Sequence, residues 1–269
     1  ISRRRRVAGG TRAVLAATGL VHGGRRKLLE QTVRERLDEL KRASNGAWAN
    51  GSAGWPQIDP DPSKLHEPFP LTDIQQAYWL GRNSAFEIGG VGIHGYFELD
   101  CENLDIDRLA QAWNQVIRRH GMMRAVVDRD GTQRILPQVP EQRFPITDLR
   151  CVAAANAERM LRSLRDRLSH QVFDPTIWPL FEIHAVRLRE SLTRLLFSED
   201  AIHMDLVSSS MVFEDWMALY GNPDVRLQEA KLSYRDYVLA AKQLNRCEPY
   251  QRAADYWRKK ASSLPPAPE

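Results

Sequence analysis

From residue 69 onward, stretches with the two-residue alternation of a strand take turns with stretches carrying an apolar stripe at helical spacing. No other feature constrains the fold as much. Residues 91–99 (VGIHGYFEL), 181–188 (FEIHAVRL) and 193–198 (TRLLFS) read as strands. Residues 105–120 read as a helix, with Ile106, Leu109, Trp113, Val116 and Ile117 on one stripe and Asp105 as its N-cap. Two short strands near 124–128 and 132–136 are joined by a turn at Asp130-Gly131. Helical spacing returns over 153–171, 208–220, 234–245 and 249–260, where Tyr234, Tyr237, Tyr256 and Trp257 read as core. Each kind of element buries its apolar face against the other. The expectation is therefore an α/β, or α+β layered, domain with a mixed sheet and covering helices.

Charge divides the chain. Residues 1–43 hold 12 Lys/Arg against 4 Asp/Glu, and residues 44–269 hold 26 against 30. The basic character thus belongs to an N-terminal tail, and an acidic body argues against a nucleic-acid-binding domain. No apolar run is long enough to span a bilayer. The apolar stretch from Ala13 to Val21 is short, broken by Thr18 and Gly19, and followed by no A-x-A site, so it is not read as an export signal and the chain is expected to be cytoplasmic. Cys101, Cys151 and Cys247 are far apart and in no metal-site spacing, so three reduced, packing thiols and no bound metal are expected. Residues 27–42 form an amphipathic pattern with Leu29, Val33, Leu37 and Leu40 on one face, either resting on the body or docking an upstream subunit. Three segments are expected: 1–43, a basic tail with that helix; 44–65, a linker; and 66–269, the folded body.

Two stretches stand out chemically. Residues 69–82, FPLTDIQQAYWLGR, suit a short helix entered at Pro70, capped by Thr72 or Asp73 and stopped at Gly81, with Ile74, Ala77 and Tyr78 as its apolar spacing. Residues 197–210, FSEDAIHMDLVSSS, put Asp200, His203 and Asp205 between a strand and a helix. Paired carboxylates can divide labour when one is kept protonated and the other ionised. The structural alternative is that one Asp caps the next helix or pairs with a buried Arg.

The first stretch resembles the opening signature of heterocyclization domains of nonribosomal peptide synthetases, FPLTxxQxAYxxGR. Phe69, Pro70, Leu71, Thr72, Gln75, Ala77, Tyr78, Gly81 and Arg82 are all in place. Where the wider condensation superfamily carries HHxxxDG, this branch carries DxxxxD, matched by Asp200 and Asp205. Ala201 stands where the amide-forming relatives have their second His, His203 is out of register with it, and Ser208 fits the branch's continuation. Residues 118–136 resemble RHxMLRAVxxxDGxQ, with Arg119, His120, Arg124, Asp130, Gly131 and Gln133 present and Met123 in place of Leu. His120 is read mainly as a helix-end residue bonded to a carbonyl, and Arg124 as a candidate ion-pair partner of Asp205. LPPAPE at 264–269 resembles the start of LPxxPxLPL.

The resemblance implies the first lobe of a two-lobed fold similar to chloramphenicol acetyltransferase. It implies condensation of a carrier-bound acyl thioester with carrier-bound Cys, Ser or Thr, followed by cyclodehydration to a thiazoline or oxazoline. Partners would be upstream and downstream peptidyl or aryl carrier proteins and an adjacent adenylation domain. Substrates would be phosphopantetheine thioesters, with no cofactor, nucleic acid or membrane bound by the chain itself. With dehydration residues expected in the second lobe, the chain alone is expected to be inactive. The alternatives are a non-catalytic carrier-docking module and an ordinary amide-forming condensation domain.

Overall fold

The computed structural model describes residues 55–82, 89–261 and 263–264. The basic tail, the amphipathic pattern at 27–42, the start of the linker and the Pro-rich end from 265 lie outside the described residues. The described chain divides into two units, residues 66–229 and residues 55–65 with 230–264.

The first unit holds seven strands and four α-helices among its described residues. In chain order they are β1 (Phe69–Pro70), α1 (Asp73–Gly81), β2 (His94–Glu102), α2 (Ile106–Arg119), β3 (Ala125–Val127), β4 (Thr132–Ile135), β5 (Ile146–Asp148), α3 (Ala154–Ser169), β6 (Phe181–Arg187), β7 (Leu192–Asp200) and α4 (Leu206–Gly221). The main sheet runs β2-β7-β6-β5 and is mixed, since β5 pairs parallel with β6 while the other pairs are antiparallel. A small antiparallel sheet runs β1-β4-β3. The expected α/β layering and mixed sheet are therefore present.

Alternation along β7 explains the layers. Leu195 and Phe197 join the core formed with α2 and α4, whereas Leu196 joins Leu161 and Leu168 of α3. Helices thus cover both faces. The predicted stripe of α2 is buried in full, and Trp113 packs edge-on to Phe181 and Phe197. Burying each such large apolar side chain contributes on the order of 2–3 kcal/mol. Asp105 caps α2 by accepting from the Arg108 amide. On the other face, Arg165 of α3 donates to Glu98 of β2 from Nε and Nη2, at 2.5 and 2.9 Å.

The Asp130-Gly131 turn joins β3 to β4, with Gly131 at φ +81°, a backbone that side-chain-bearing residues disfavour. β1 and β5, two and three residues long, escape sequence reading because so short a stretch shows no period.

In the second unit, α5 (Tyr234–Ala241) opens with a Ser233–Asp236 capping box, and the Asp61 amide donates to Asp236. Among the described residues, the next helix, α6 (Glu248–Ala261), has none that is buried. The reading of four aromatics as core is corrected here. Tyr237, Tyr256 and Trp257 are exposed, Trp257 at 59%, and Tyr234 is half-buried. Helical spacing shows which residues share a face, not whether that face is covered.

Candidate active site

The end of β7 and the segment leading to α4 carry Asp200, His203 and Asp205, and the FPLT stretch holds that segment in place. Phe69 and Leu71 are buried, Leu71 in a cluster with Val127, Leu180 and Ile202. Thr72 caps α1 in a reciprocal capping box with Gln75. The buried Gln75 amide then donates to Gln133 Oε1 at 2.9 Å and to the Ile202 carbonyl at 2.8 Å. Gln133 in turn donates to the Pro70 carbonyl. One helix start thus fastens β4 and the residue two past Asp200. Tyr78 packs partly buried beside this cluster. The expected apolar face of α1 is corrected, since Ile74 and Ala77 lie on its exposed side.

Arg82, just past Gly81, completes the attachment. Its Nη2 donates to Asp200 Oδ1 at 2.5 Å, with the side chains 9% and 1% exposed. The same Oδ1 accepts the Ile202 amide at 2.9 Å. Arg82 Nε and Nη1 are buried and have no hydrogen-bond partner among the described residues. Arg82 stood in the sequence signature, but nothing in the sequence assigned it to Asp200.

Asp205 is exposed and caps α4, accepting the Ser208 amide at 2.7 Å. That hydrogen bond holds its carboxyl below the ordinary range. Ser208 is also exposed. The expected Arg124–Asp205 pair is corrected: Arg124 turns to the end of α2, donating to the carbonyls of Ile117, Arg118 and Leu136. Burial lowers its pKa. His120 is the C-cap of α2, but its ring meets the Asp215 carboxylate at 2.8 Å rather than a carbonyl, and Arg119 shares that carboxylate.

His203 is 6% exposed, and neither ring nitrogen has a hydrogen-bond partner among the described residues. Burial lowers its pKa to about 4, so it is neutral near pH 7. On the strand, His94 Nε2 contacts Ser198 Oγ at 2.8 Å, and burial lowers its pKa too.

A split between Asp200 and Asp205 into a protonated and an ionised partner does not follow from this geometry, since Asp205 is lowered and Asp200 is ion-paired. The carboxyl that burial pushes up, to about 7, is Glu199. Sequence reasoning passed it over. Its one signal was an acid in the inward row of β7 after Leu195 and Phe197.

Cys101 is partly buried, its thiol raised to about 11 by burial, and Cys151 is exposed, so the three thiols do not all pack. Among the described residues, no group of three or more His, Cys, Asp or Glu could hold a metal ion, and no helix is long and apolar enough to cross a membrane.

The Condensation domain family model matches residues 66–268. The chain is 36% identical over 210 residues to phenyloxazoline synthase MbtB of Mycobacterium tuberculosis, covering 77% of this chain and 14% of that protein. It is 32% identical over 234 residues to pyochelin synthetase PchF of Pseudomonas aeruginosa, covering 87% and 13%. The solved EpoB NRPS cyclization-docking bidomain from Sorangium cellulosum superposes with a TM-score of 0.77 at 42% identity, over 88% of this chain and 48% of that one. The chain therefore spans about half of that solved protein and a small part of the two synthetases.

Proposed function

The chain belongs to the Condensation domain family, and on that premise we propose that it is the part of a nonribosomal peptide synthetase heterocyclization domain that contributes the Asp200–Asp205 segment to the reaction site. The observation that carries this reading is the segment itself. Asp200 is locked by Arg82 at the end of β7, Asp205 opens α4, and Ala201, not a His, stands at the position where the amide-forming relatives have their second His. The 42% identity to a cyclization bidomain supports it.

In this reading a carrier-bound acyl thioester is attacked by the amine of a carrier-bound Cys, Ser or Thr, giving an amide. The thioester supplies the driving force for that step. The side-chain thiol or hydroxyl then adds to the amide carbonyl, and water leaves to form a thiazoline or oxazoline. Asp200, Gln75 and Arg82 act by positioning. A buried ion pair and a buried amide network hold the 200–205 segment in one conformation, which orientation-dependent catalysis requires. Carrier proteins bearing phosphopantetheine and an adjacent adenylation domain are the partners this chemistry needs.

The test uses the polypeptide that carries this chain, with an acyl-loaded donor carrier and a cysteinyl-loaded acceptor carrier, read by intact mass spectrometry. Loss of one further water from the condensed product, abolished in Asp200→Asn, is the expected result. A linear amide as the final product of the unaltered protein would instead make it an ordinary condensation domain. The same assay on this chain by itself is expected to show no product.

A further inference from the structure

Glu199 precedes Asp200 on β7 and so points to the opposite face of the sheet, into the core shared with α2 and α4. Its register partners are Gly95 on β2 and Phe181 on β6. Gly95 leaves the space that the carboxyl uses: a Cβ there would lie 3.2 Å from Glu199 Cγ and 3.4 Å from Oε1. From α4, Ser209 Oγ donates to Oε1 at 3.0 Å. The other oxygen, Oε2, is shielded from solvent and has no hydrogen-bond partner among the described residues. A buried polar atom without a partner is rare and destabilising, and a catalytic role or a bound group is one of the accounts of it. The residue as a whole is only partly covered.

We propose that Glu199 is the proton-carrying residue of the cyclodehydration stage, cradled by Gly95 and Ser209, with Oε2 reserved for the carrier-bound substrate. This rests on the heterocyclization reading above and adds a residue outside the DxxxxD pair. One carboxyl balances the step. Its O–H proton passes to the hydroxyl on the ring carbon that was the amide carbonyl. That C–O bond breaks with its electron pair on oxygen, and water departs. The lone pair of the ring nitrogen closes the C=N bond, and the N–H proton returns to the Glu199 carboxylate. No redox partner is involved.

The surroundings suit a neutral acid. Burial raises the Glu199 pKa to about 7, against the lowering effect of the Ser209 hydrogen bond and with a further push from the Asp200 charge. The groups opposite it, Gly95 from β2, Phe181 from β6 and Ser209 from α4, do not titrate in this range. His203, whose ring lies 6.4 Å from that of Phe181, is neutral there.

The experiment measures linear and cyclised product on the carriers over a pH series around 7, in the full polypeptide. In the unaltered protein the cyclised share is expected to fall as pH rises through about 7. Glu199→Gln should lower that share about tenfold or more, let the linear amide accumulate and flatten the pH dependence. Ser209→Ala removes a hydrogen bond that favours the anion, so its pH break should move upward. A folded Glu199→Gln protein with the unaltered share and break would overturn the proposal. So would an unmoved break in Ser209→Ala, which serves where Glu199→Gln does not fold. An unaltered protein that releases only linear amide would sink the heterocyclization reading, and this proposal with it.

Discussion

Glu199 couples stability to pH in a direction that is unusual for a carboxylate, and the size of the effect can be worked out. Its pKa is 4.5 ordinarily and about 7 in the fold. Between those values the folded state binds more protons than the unfolded state, so stability falls as pH rises. The contribution is complete below 4.5 and gone above about 7. At ~1.4 kcal/mol per tenfold, the gap corresponds to about 3 kcal/mol, and partial exposure of the residue argues for about 2–3 kcal/mol. Glu199→Gln keeps the shape of the neutral acid and never ionises. The variant should match the unaltered chain in acid and exceed its stability by about 2–3 kcal/mol on the alkaline side of the transition. Urea unfolding of both proteins at a series of pH values measures this difference directly. His203 acts in the opposite sense, since its folded pKa is lowered from 6.5 to about 4 and its contribution is lost as pH falls through that window. It is present in both proteins and cancels in the comparison. A stability difference that does not change with pH would refute the buried-acid reasoning.

Other substitutions separate the roles around β7. Arg82→Met strands the Asp200 carboxylate at 1% exposure and should cost about 3–5 kcal/mol in urea unfolding; pairing it with Asp200→Leu should recover most of that loss, and strictly additive effects would contradict the ion pair's importance. Gln75→Ala leaves Gln133 and the Ile202 carbonyl without their buried donor and should lower stability by about 1–3 kcal/mol, read from the thermal midpoint. Asp205→Ala should cost only about 1 kcal/mol and Asp205→Asn much less, because the side chain serves as an N-cap that Asn can replace; a loss as large as that of Arg82→Met would point to a buried charge partner instead.

Local caps and the strongest stripe were legible in the sequence, whereas the spacing of Ile74 and Ala77 in α1 and of the aromatics in α5 and α6 did not show which face is covered. The α2 stripe, the Asp105 cap, Thr72 as one of the two candidate caps of α1 and the Asp130-Gly131 turn depend on neighbours within a few residues, and each is found in the structure. Long-range partners left no such trace. Arg82 meets Asp200 across 118 positions, and His120 meets Asp215 across 95. Arg124 could as readily serve a carboxylate as the carbonyls at the end of α2, and the nearby carbonyls took it. Glu199 was hidden for a further reason: an acid beside an Asp reads as a solvated pair, and its place in the inward row of β7 gains weight from the register with Gly95 and the reach of Ser209.

Whether this segment takes part in cyclodehydration can be tested most directly by following one oxygen atom. The donor carrier is loaded with an acyl thioester whose carbonyl carries heavy oxygen, and the polypeptide containing this chain is given a cysteinyl acceptor carrier. Cyclodehydration expels that atom as water, so the account predicts a carrier-bound product without the label. A product that keeps the label, at the mass of the linear amide, would contradict it.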